Sequence, residues 1–139
     1  MAYVFDASFV VALIIPDEKN PKVDNVQKAL SNTEEIYVPN LLWYEAANIF
    51  KNLLRRKRYT AEEIENFFPL FFAVRLTTDF ENGADYSKKL WNLSKVYDLT
   101  SYDAAYLELA ERKKAVLCTL DEDLKTAAKK HGVTVLDRV

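Results

Sequence analysis

Five short apolar runs, rich in β-branched residues, are separated along the chain by longer amphipathic segments. The runs cover residues 3–5, 36–39, 74–76, 115–119 and 133–136. They are continuous in apolar residues, which is typical of strands that a parallel sheet buries on both faces. Strands that alternate with helices predict an α/β fold. We expect one domain over residues 1–139, with three layers (α/β/α) around a mainly parallel sheet of about five strands.

The segments between these runs predict helices. They are expected over residues 7–15, 21–30, 41–56, 60–72, 81–96, 101–113 and 121–131. Asn40 and Ser101 are suited to cap two of them, and Thr60 with Glu63 three residues later has the pattern of a capping box. Gly132 is well suited to end the last helix. In a sheet connected in this way, ligands bind at the carboxyl ends of the strands.

Composition excludes several kinds of chemistry. Glycine occurs only at Gly83 and Gly132, so neither a P-loop nor a dinucleotide-binding glycine turn can be built. The one histidine, His131, removes most histidine-based catalysis and a histidine-rich zinc site. A net charge of −2 argues against a broad basic surface that binds nucleic acid, although it does not exclude local basic patches.

The sequence also predicts where the protein works. Its start lacks the basic region of a signal peptide, and no apolar run approaches the roughly 18 residues of a membrane helix. The single cysteine, Cys118, cannot form an internal disulfide. We therefore expect a cytoplasmic protein that does not associate with membranes.

Acidic residues from distant parts of the chain are expected to meet at one edge of the sheet. Asp6 follows the first predicted strand, and Asp121 and Asp123 follow the fourth. Asp103 lies in the first turn of a helix, and Glu45 lies near the start of the helix after the second strand. Crowded carboxylates repel one another, and a divalent cation relieves that repulsion. An all-oxygen donor set favours Mg²⁺ or Mn²⁺, which can activate a water for phosphodiester hydrolysis.

Each acid also has a local explanation. Asp6 and Asp121 are placed to cap helices, while Asp103 and Asp123 would favour the positive end of a helix dipole. Glu45 could lie on a solvated helix face. These explanations account for the acids one at a time, but they account less well for all of them falling on one edge.

Four motifs resemble the PIN-domain family, in the family's order and spacing. They are "FDAS" at residues 5–8, Glu45 within "LLWYEAANIF", "SYDAAYLELAE" at residues 101–111, and "CTLDEDL" at residues 118–124. The resemblance covers essentially the whole chain. The size and simplicity of the chain are similar to those of VapC-type toxins. It implies a Mg²⁺- or Mn²⁺-dependent endoribonuclease, the toxin of a toxin–antitoxin pair, with RNA as substrate and an antitoxin protein as partner.

The resemblance also implies roles for individual residues. By position, the family's catalytic acids and metal ligands correspond to Asp6, Glu45, Asp103 and Asp121, with Asp123 matching a further acid. Ser8 and Thr119 match hydroxyl positions that orient the carboxylates or a metal-bound water. The sequence departs from the family at Leu120, where many members have a small residue, and at Ala115, where many have glycine. Neither departure involves an acid.

Two other features have more than one interpretation. The basic run Arg55, Arg56, Lys57 and Arg58 ends a predicted helix, so it either complements the helix dipole or contacts an RNA backbone. The phenylalanines of residues 67–72 are too numerous for one narrow core face. Some belong to the core, and the rest indicate a homodimer contact or a groove for a partner helix.

Other functions remain open at this stage. A housekeeping RNA-processing nuclease of the same fold would have the same acids, and so would a DNA-flap nuclease, although the short chain lacks an obvious arch or extra domain. A non-catalytic nucleic-acid or protein-binding module would be marked by the loss of an acid, and none is missing. A response-regulator receiver would need a lysine at the end of the fifth strand, which reads "LDRV".

Overall fold

The centre of the protein is a parallel sheet. The structure, a computed structural model, describes residues 1–16, 20, 21, 23 and 34–136. Four strands pair in the order β3-β2-β1-β4, and all of their pairings are parallel. The strands are β1 (Ala2–Phe5), β2 (Glu35–Pro39), β3 (Thr77–Asp79) and β4 (Val116–Cys118). An α/β fold with a parallel sheet is therefore confirmed.

Helices cover both faces of this sheet, which gives the predicted three layers. They are α1 (Ala7–Ile14), α2 (Leu41–Arg55), α3 (Ala61–Glu65), α4 (Phe68–Ala73), α5 (Ala84–Tyr97), α6 (Ser101–Lys113) and α7 (Glu122–Lys130). Helix α1 packs against α2, while α6 packs against β1, β2 and β4 and is covered in turn by α5 and α7. The core between the layers includes Val4, Val38 and Leu117, each with no exposed surface.

Helix α6 is buried along most of its length. Seven consecutive residues, 104–110, are buried, because α6 has the sheet on one side and α5 on the other. Ala104 and Ala105, both fully buried, let the helix backbone approach the strands closely. The first turn of α6 is thereby held firmly beside the strand ends.

The strand register brings two chain segments level at the carboxyl edge. Phe5 pairs with Cys118, and the Asp6 N–H continues the ladder by donating to the Cys118 carbonyl at 3.1 Å. Residues that directly follow β1 and β4 are consequently neighbours. This is the edge of the sheet at which the acids are predicted from the sequence.

One ion-pair network ties β3 to α6. The Arg112 guanidinium donates to both carboxylate oxygens of Asp79, at 2.9 and 2.7 Å, and also to Glu108. This geometry holds the pKa of Asp79 below its usual range, through the Arg112 hydrogen bonds above all. The network therefore anchors the edge strand to the buried helix.

Two strand predictions need correction. The third strand lies at Thr77–Asp79 and not at residues 74–76, because the N–H groups of Val74 and Leu76 are used in local turns. In place of a fifth strand over residues 133–136, the described chain has a single parallel bridge between Val135 and Leu117. Among the described residues the sheet thus has four strands, with one further bridge at the predicted position.

Several helix boundaries also differ from the prediction. The segment over residues 60–72 forms two helices, because Pro69 lacks an N–H and cannot continue an α-helix from the preceding turn. Thr100, and not Ser101, caps α6 by accepting the Asp103 N–H, whereas Asn40 makes no side-chain cap bond. The helix predicted over residues 21–30 lies almost entirely outside the described residues.

Two end signals are confirmed. Thr60 and Glu63 form a reciprocal capping box at the start of α3. Gly132 adopts φ 83°, a left-handed conformation that favours glycine, directly after α7.

Across the described ranges, no helix is both long enough and apolar enough to cross a membrane.

Candidate active site

Asp6 lies between β1 and α1 and accepts three hydrogen bonds. Its Oδ1 accepts from the Phe9 N–H at 3.0 Å and from the Ser8 hydroxyl at 2.7 Å, and its Oδ2 accepts from the Thr119 hydroxyl. The residue is only 5% exposed. Burial raises the pKa of Asp6, and the nearby charge of Asp103 adds to the rise, while the three hydrogen bonds oppose it. Asp6 is therefore a firmly oriented carboxylate in a setting that disfavours its charge.

The loop after β4 is fastened to Asp6 through the same two hydroxyls. Thr119 Oγ1 also accepts the Asp121 N–H at 3.0 Å, and Ser8 Oγ accepts the Leu120 N–H at 3.1 Å. Because Leu120 takes part through its backbone, the departure from the family's small residue leaves this contact unchanged. Ser8 and Thr119 thus connect Asp6 to the segment that carries Asp121.

Asp121 begins α7. Its Oδ1 accepts the Leu124 N–H at 3.0 Å, which makes Asp121 the N-cap of the helix. Asp123 lies in the first turn of the same helix, and both side chains are exposed. The local explanation of Asp121 as a cap is therefore correct, as it is for Asp6, which caps α1.

Asp103 lies in the first turn of α6, half-buried. Burial raises its pKa, and the charges of Asp121 and Asp123 raise it further. Helices α6 and α7 pack against one another. The acids at the start of α7 therefore act on Asp103 through their charge.

Glu45 completes the cluster from the opposite layer. It lies on α2, half-buried, and its Oε1 accepts a hydrogen bond from the Tyr106 hydroxyl at 2.5 Å. Burial raises the pKa of Glu45, and the charges of Asp103 and Asp6 add to this, while the Tyr106 bond opposes it. The structure thus links carboxylates from four separate segments: the end of β1, α2, the start of α6 and the start of α7.

The donor set fits a hard divalent cation by its chemistry. All of the candidate ligands are carboxylate oxygens, and the pKa values of Asp6, Glu45 and Asp103 are raised by burial and by the charge of neighbouring acids. Within the described residues, however, no three His, Cys, Asp or Glu side chains are arranged as ready-made ligands of one ion. Mg²⁺ commonly keeps several waters and binds through one or two carboxylates. The side chains therefore suit an ion held partly through water better than one enclosed by protein.

Tyr106 was not among the site residues predicted from the sequence. It follows Asp103 by three residues, so both side chains lie on the same face of α6. The available signal was a tyrosine inside a buried helix, since a buried tyrosine hydroxyl usually has a hydrogen-bond partner. The sequence alone gave no indication that this partner is Glu45, 61 residues away.

The basic run lies at the far end of α2 from Glu45. The run begins ten residues after Glu45, which places it about 15 Å along the helix axis. The Lys57 N–H donates to the Leu54 carbonyl and the Arg58 N–H to the Leu53 carbonyl, with Lys57 at φ 57°. This backbone pattern is the Schellman motif that ends many helices. The four basic side chains Arg55, Arg56, Lys57 and Arg58 are exposed around it.

The phenylalanines divide between core and surface, as the sequence suggested. Phe67 and Phe71 are buried against Phe50, at ring-centroid distances of 6.4 and 6.1 Å. Phe72 is 82% exposed, and Tyr44 on α2 is 70% exposed. Large apolar side chains therefore remain exposed on α2, the helix that carries Glu45, and on α4.

Comparisons with known proteins agree with this fold. Residues 3–130 match the PIN domain, and the chain belongs to the PIN-domain family. It is 31% identical over 124 residues to Ribonuclease VapC3 of Pyrobaculum aerophilum, covering 89% of this chain and 92% of that protein.

Solved structures support the fold. VapBC2 from Rickettsia felis, bound to a DNA fragment from its promoter, matches with a TM-score of 0.71 and 15% identity, covering 98% of each chain. Mycobacterium tuberculosis VapC20, a sarcin–ricin loop cleaving toxin, matches with a TM-score of 0.67 and 16% identity, covering 90% of this chain and 94% of that one. At these identities the likeness concerns the fold.

Proposed function

We propose that this protein is a divalent-metal-dependent endoribonuclease that hydrolyses RNA phosphodiester bonds, and that residues 1–139 form one PIN-like domain. The observation that carries the proposal is the convergence of carboxylates on the carboxyl edge of the parallel sheet. A cluster of negative charge repels an RNA phosphate, so the site needs a cation before it can accept this substrate. Similarity to a relative named as a ribonuclease supports the same activity.

The acids take separate roles in this proposal. Asp6, Glu45 and Asp103 would hold the cation, and Asp121 with Asp123 would complete the site or help to hold a second ion. When bound, Mg²⁺ or Mn²⁺ would neutralise the phosphate charge and activate a water as the nucleophile. Ser8 and Thr119 fix the orientation of Asp6 through their hydroxyls, and Thr119 also fixes the start of the Asp121 loop.

We further propose that the protein is the toxin of a toxin–antitoxin pair and acts in the cytoplasm. The VapC-like sequence and fold support this role, and the exposed Phe72 and Tyr44 offer apolar surface for an antitoxin. A homodimer, expected from the same aromatic residues, remains a prediction. A neighbouring gene that encodes a short DNA-binding protein would favour this role over RNA processing.

The test is Mn²⁺ binding by calorimetry to the wild type and to Asp103→Asn, followed by cleavage of RNA. The substitution removes a charge and little volume, so we expect it to abolish binding and cleavage. The fold should stay cooperative and at least as stable, because a carboxylate that burial and its neighbours destabilise becomes neutral.

Asp85→Asn is the matched control, since Asp85 occupies the first turn of α5 as Asp103 occupies that of α6. It should bind Mn²⁺ and cleave RNA like the wild type. Full activity of Asp103→Asn would refute the assignment of the acids. A folded wild type that binds no Mn²⁺ would favour a non-catalytic binding module.

A further inference from the structure

The Tyr106 hydroxyl donates a hydrogen bond to the Glu45 carboxylate. Tyr106 is 1% exposed and belongs to the largest fully buried side chains of the core, yet its hydroxyl reaches out of α6 to Glu45 Oε1 at 2.5 Å. The bond crosses between α6 and α2, which belong to opposite layers of the fold. Any acceptor could take the hydrogen bond of a buried tyrosine hydroxyl. Here the acceptor is a carboxylate of the acid cluster.

Glu45 needs such an anchor more than the other acids do. Asp6, Asp103 and Asp121 have short side chains that begin at strand ends or first helical turns, and Asp6 and Asp121 are oriented by hydrogen bonds to the neighbouring backbone. Glu45 has one more rotatable bond and lies on the flank of α2, where no capping role restrains it. Without a partner its carboxylate would sample several rotamers, many directed away from Asp6 and Asp103.

The hydrogen bond leaves half of the carboxylate available. Tyr106 occupies Oε1, and within the part of the chain that the structure describes Oε2 accepts no hydrogen bond. Asp103 lies one helical turn before Tyr106, so the same face of α6 presents both an acid and the donor that orients the second acid. A ligand group that is oriented by a fixed neighbour binds metal better, because less reorganisation accompanies binding.

We infer that Tyr106 is a positioning residue, whose hydroxyl fixes the Glu45 carboxylate beside the acid cluster so that Glu45 can help to hold a divalent cation, directly or through a water. The inference rests on the proposed function and adds a residue to it. Tyr106 itself touches neither the cation nor RNA. Its role runs entirely through Glu45.

The test is Mn²⁺ affinity, measured by calorimetry with the metal alone on Tyr106→Phe, Glu45→Gln and the double variant. Phenylalanine keeps the packing of the buried ring and removes only the hydroxyl. We expect Tyr106→Phe to weaken Mn²⁺ binding about tenfold or more, the size typical of lost support for a metal ligand. In the Glu45→Gln background the same change should have little further effect, since the group that Tyr106 orients is already altered.

Tyr37→Phe is the matched control. Its hydroxyl also donates to a glutamate, Glu35 Oε2 at 2.8 Å, but on β2 and in an exposed position. This variant should bind Mn²⁺ like the wild type. Circular dichroism and urea unfolding of each variant show that differences in affinity arise in folded protein.

The outcomes separate the inference from the function on which it rests. Wild-type affinity in Tyr106→Phe, with binding lost in Asp103→Asn, would overturn the inference and leave the proposed function standing. An equal loss from Tyr106→Phe in both backgrounds would also overturn it, because Tyr106 would then act without Glu45. A folded wild type that binds no Mn²⁺ would overturn both.

Discussion

Replacing Thr119 with valine tests the contact that joins two parts of the acid cluster. Thr119 is 2% exposed, donates its hydroxyl to Asp6 and accepts the Asp121 N–H at 3.0 Å. Valine has nearly the same shape but no hydroxyl, so both hydrogen bonds disappear while the packing is largely kept. Any loss of stability therefore reports on these polar contacts.

The size of the effect follows from the two bonds. A hydrogen bond to a charged group contributes about 1.5–3 kcal/mol, and an unpaired buried N–H costs about 1–3 kcal/mol. Because the Asp121 side chain is exposed, water can partly replace the partner of its N–H. We expect the free energy of unfolding to fall by about 2–3 kcal/mol. For a chain of this length that corresponds to a fall in Tm of roughly 6–12 °C.

Urea unfolding, followed by tryptophan fluorescence, measures this change. Thr119→Ser is the control, because serine keeps the hydroxyl and loses one buried methyl, at a cost of about 1 kcal/mol. The valine variant should therefore be clearly less stable than the serine variant, with the same dependence on urea concentration. Equal losses in the two variants would refute the reasoning, since the hydroxyl contacts would then contribute no more than one buried methyl group.

Two further predictions concern charged groups outside the acid cluster. Replacing Arg55 and Arg56 with alanine should weaken RNA binding and flatten its salt dependence if they contact phosphates; unchanged binding across salt concentrations would assign them to the helix end alone. Asp79 has a folded pKa below its ordinary value near 3.9, so its pairing with Arg112 stabilises the fold above that pH and the benefit is lost as pH falls through the lower folded pKa. Urea midpoints across the acid range should thus depend less on pH in Asp79→Asn, and an unaltered pH dependence would contradict this assignment.

Local signals predicted the elements with the strongest patterns. Thr60 with Glu63 and Gly132 are signals that act within one helical turn, and both are confirmed. The strand predicted at residues 74–76 failed because its composition suited a strand while its N–H groups were already used by the end of α4. The single helix predicted over residues 60–72 was wrong because Pro69 cannot continue an α-helix from the preceding turn, so α3 and α4 form separately.

The positions of the acids could be predicted because they depend on the topology of the sheet. The contacts between side chains far apart in the sequence could not be predicted. Once β1 and β4 were taken as parallel strands, Asp6 and Asp121 had to lie at one edge. The partner of Tyr106 depends on how α2 and α6 pack across the sheet, and the pairing of Arg112 with Asp79, 33 residues away, depends on how α6 lies against β3. Such pairings arise from three-dimensional packing, which no local pattern encodes.

The capping role and the proposed metal-binding role of the acids depend on the same architecture. Asp6 begins α1, Asp103 lies in the first turn of α6, and Asp121 begins α7, so three helix N-termini are directed at the carboxyl edge. Each N-terminus carries a partial positive charge, which stabilises a nearby carboxylate by about 0.3–1 kcal/mol. These helix ends offset part of the repulsion and allow the acids to remain clustered in the folded chain. The pKa values of Asp6, Glu45 and Asp103 are nevertheless raised, because burial and neighbouring acids still disfavour their charged forms, and a bound cation would relieve this. Helix capping and the proposed metal binding thus depend on the same carboxylates of Asp6 and Asp121.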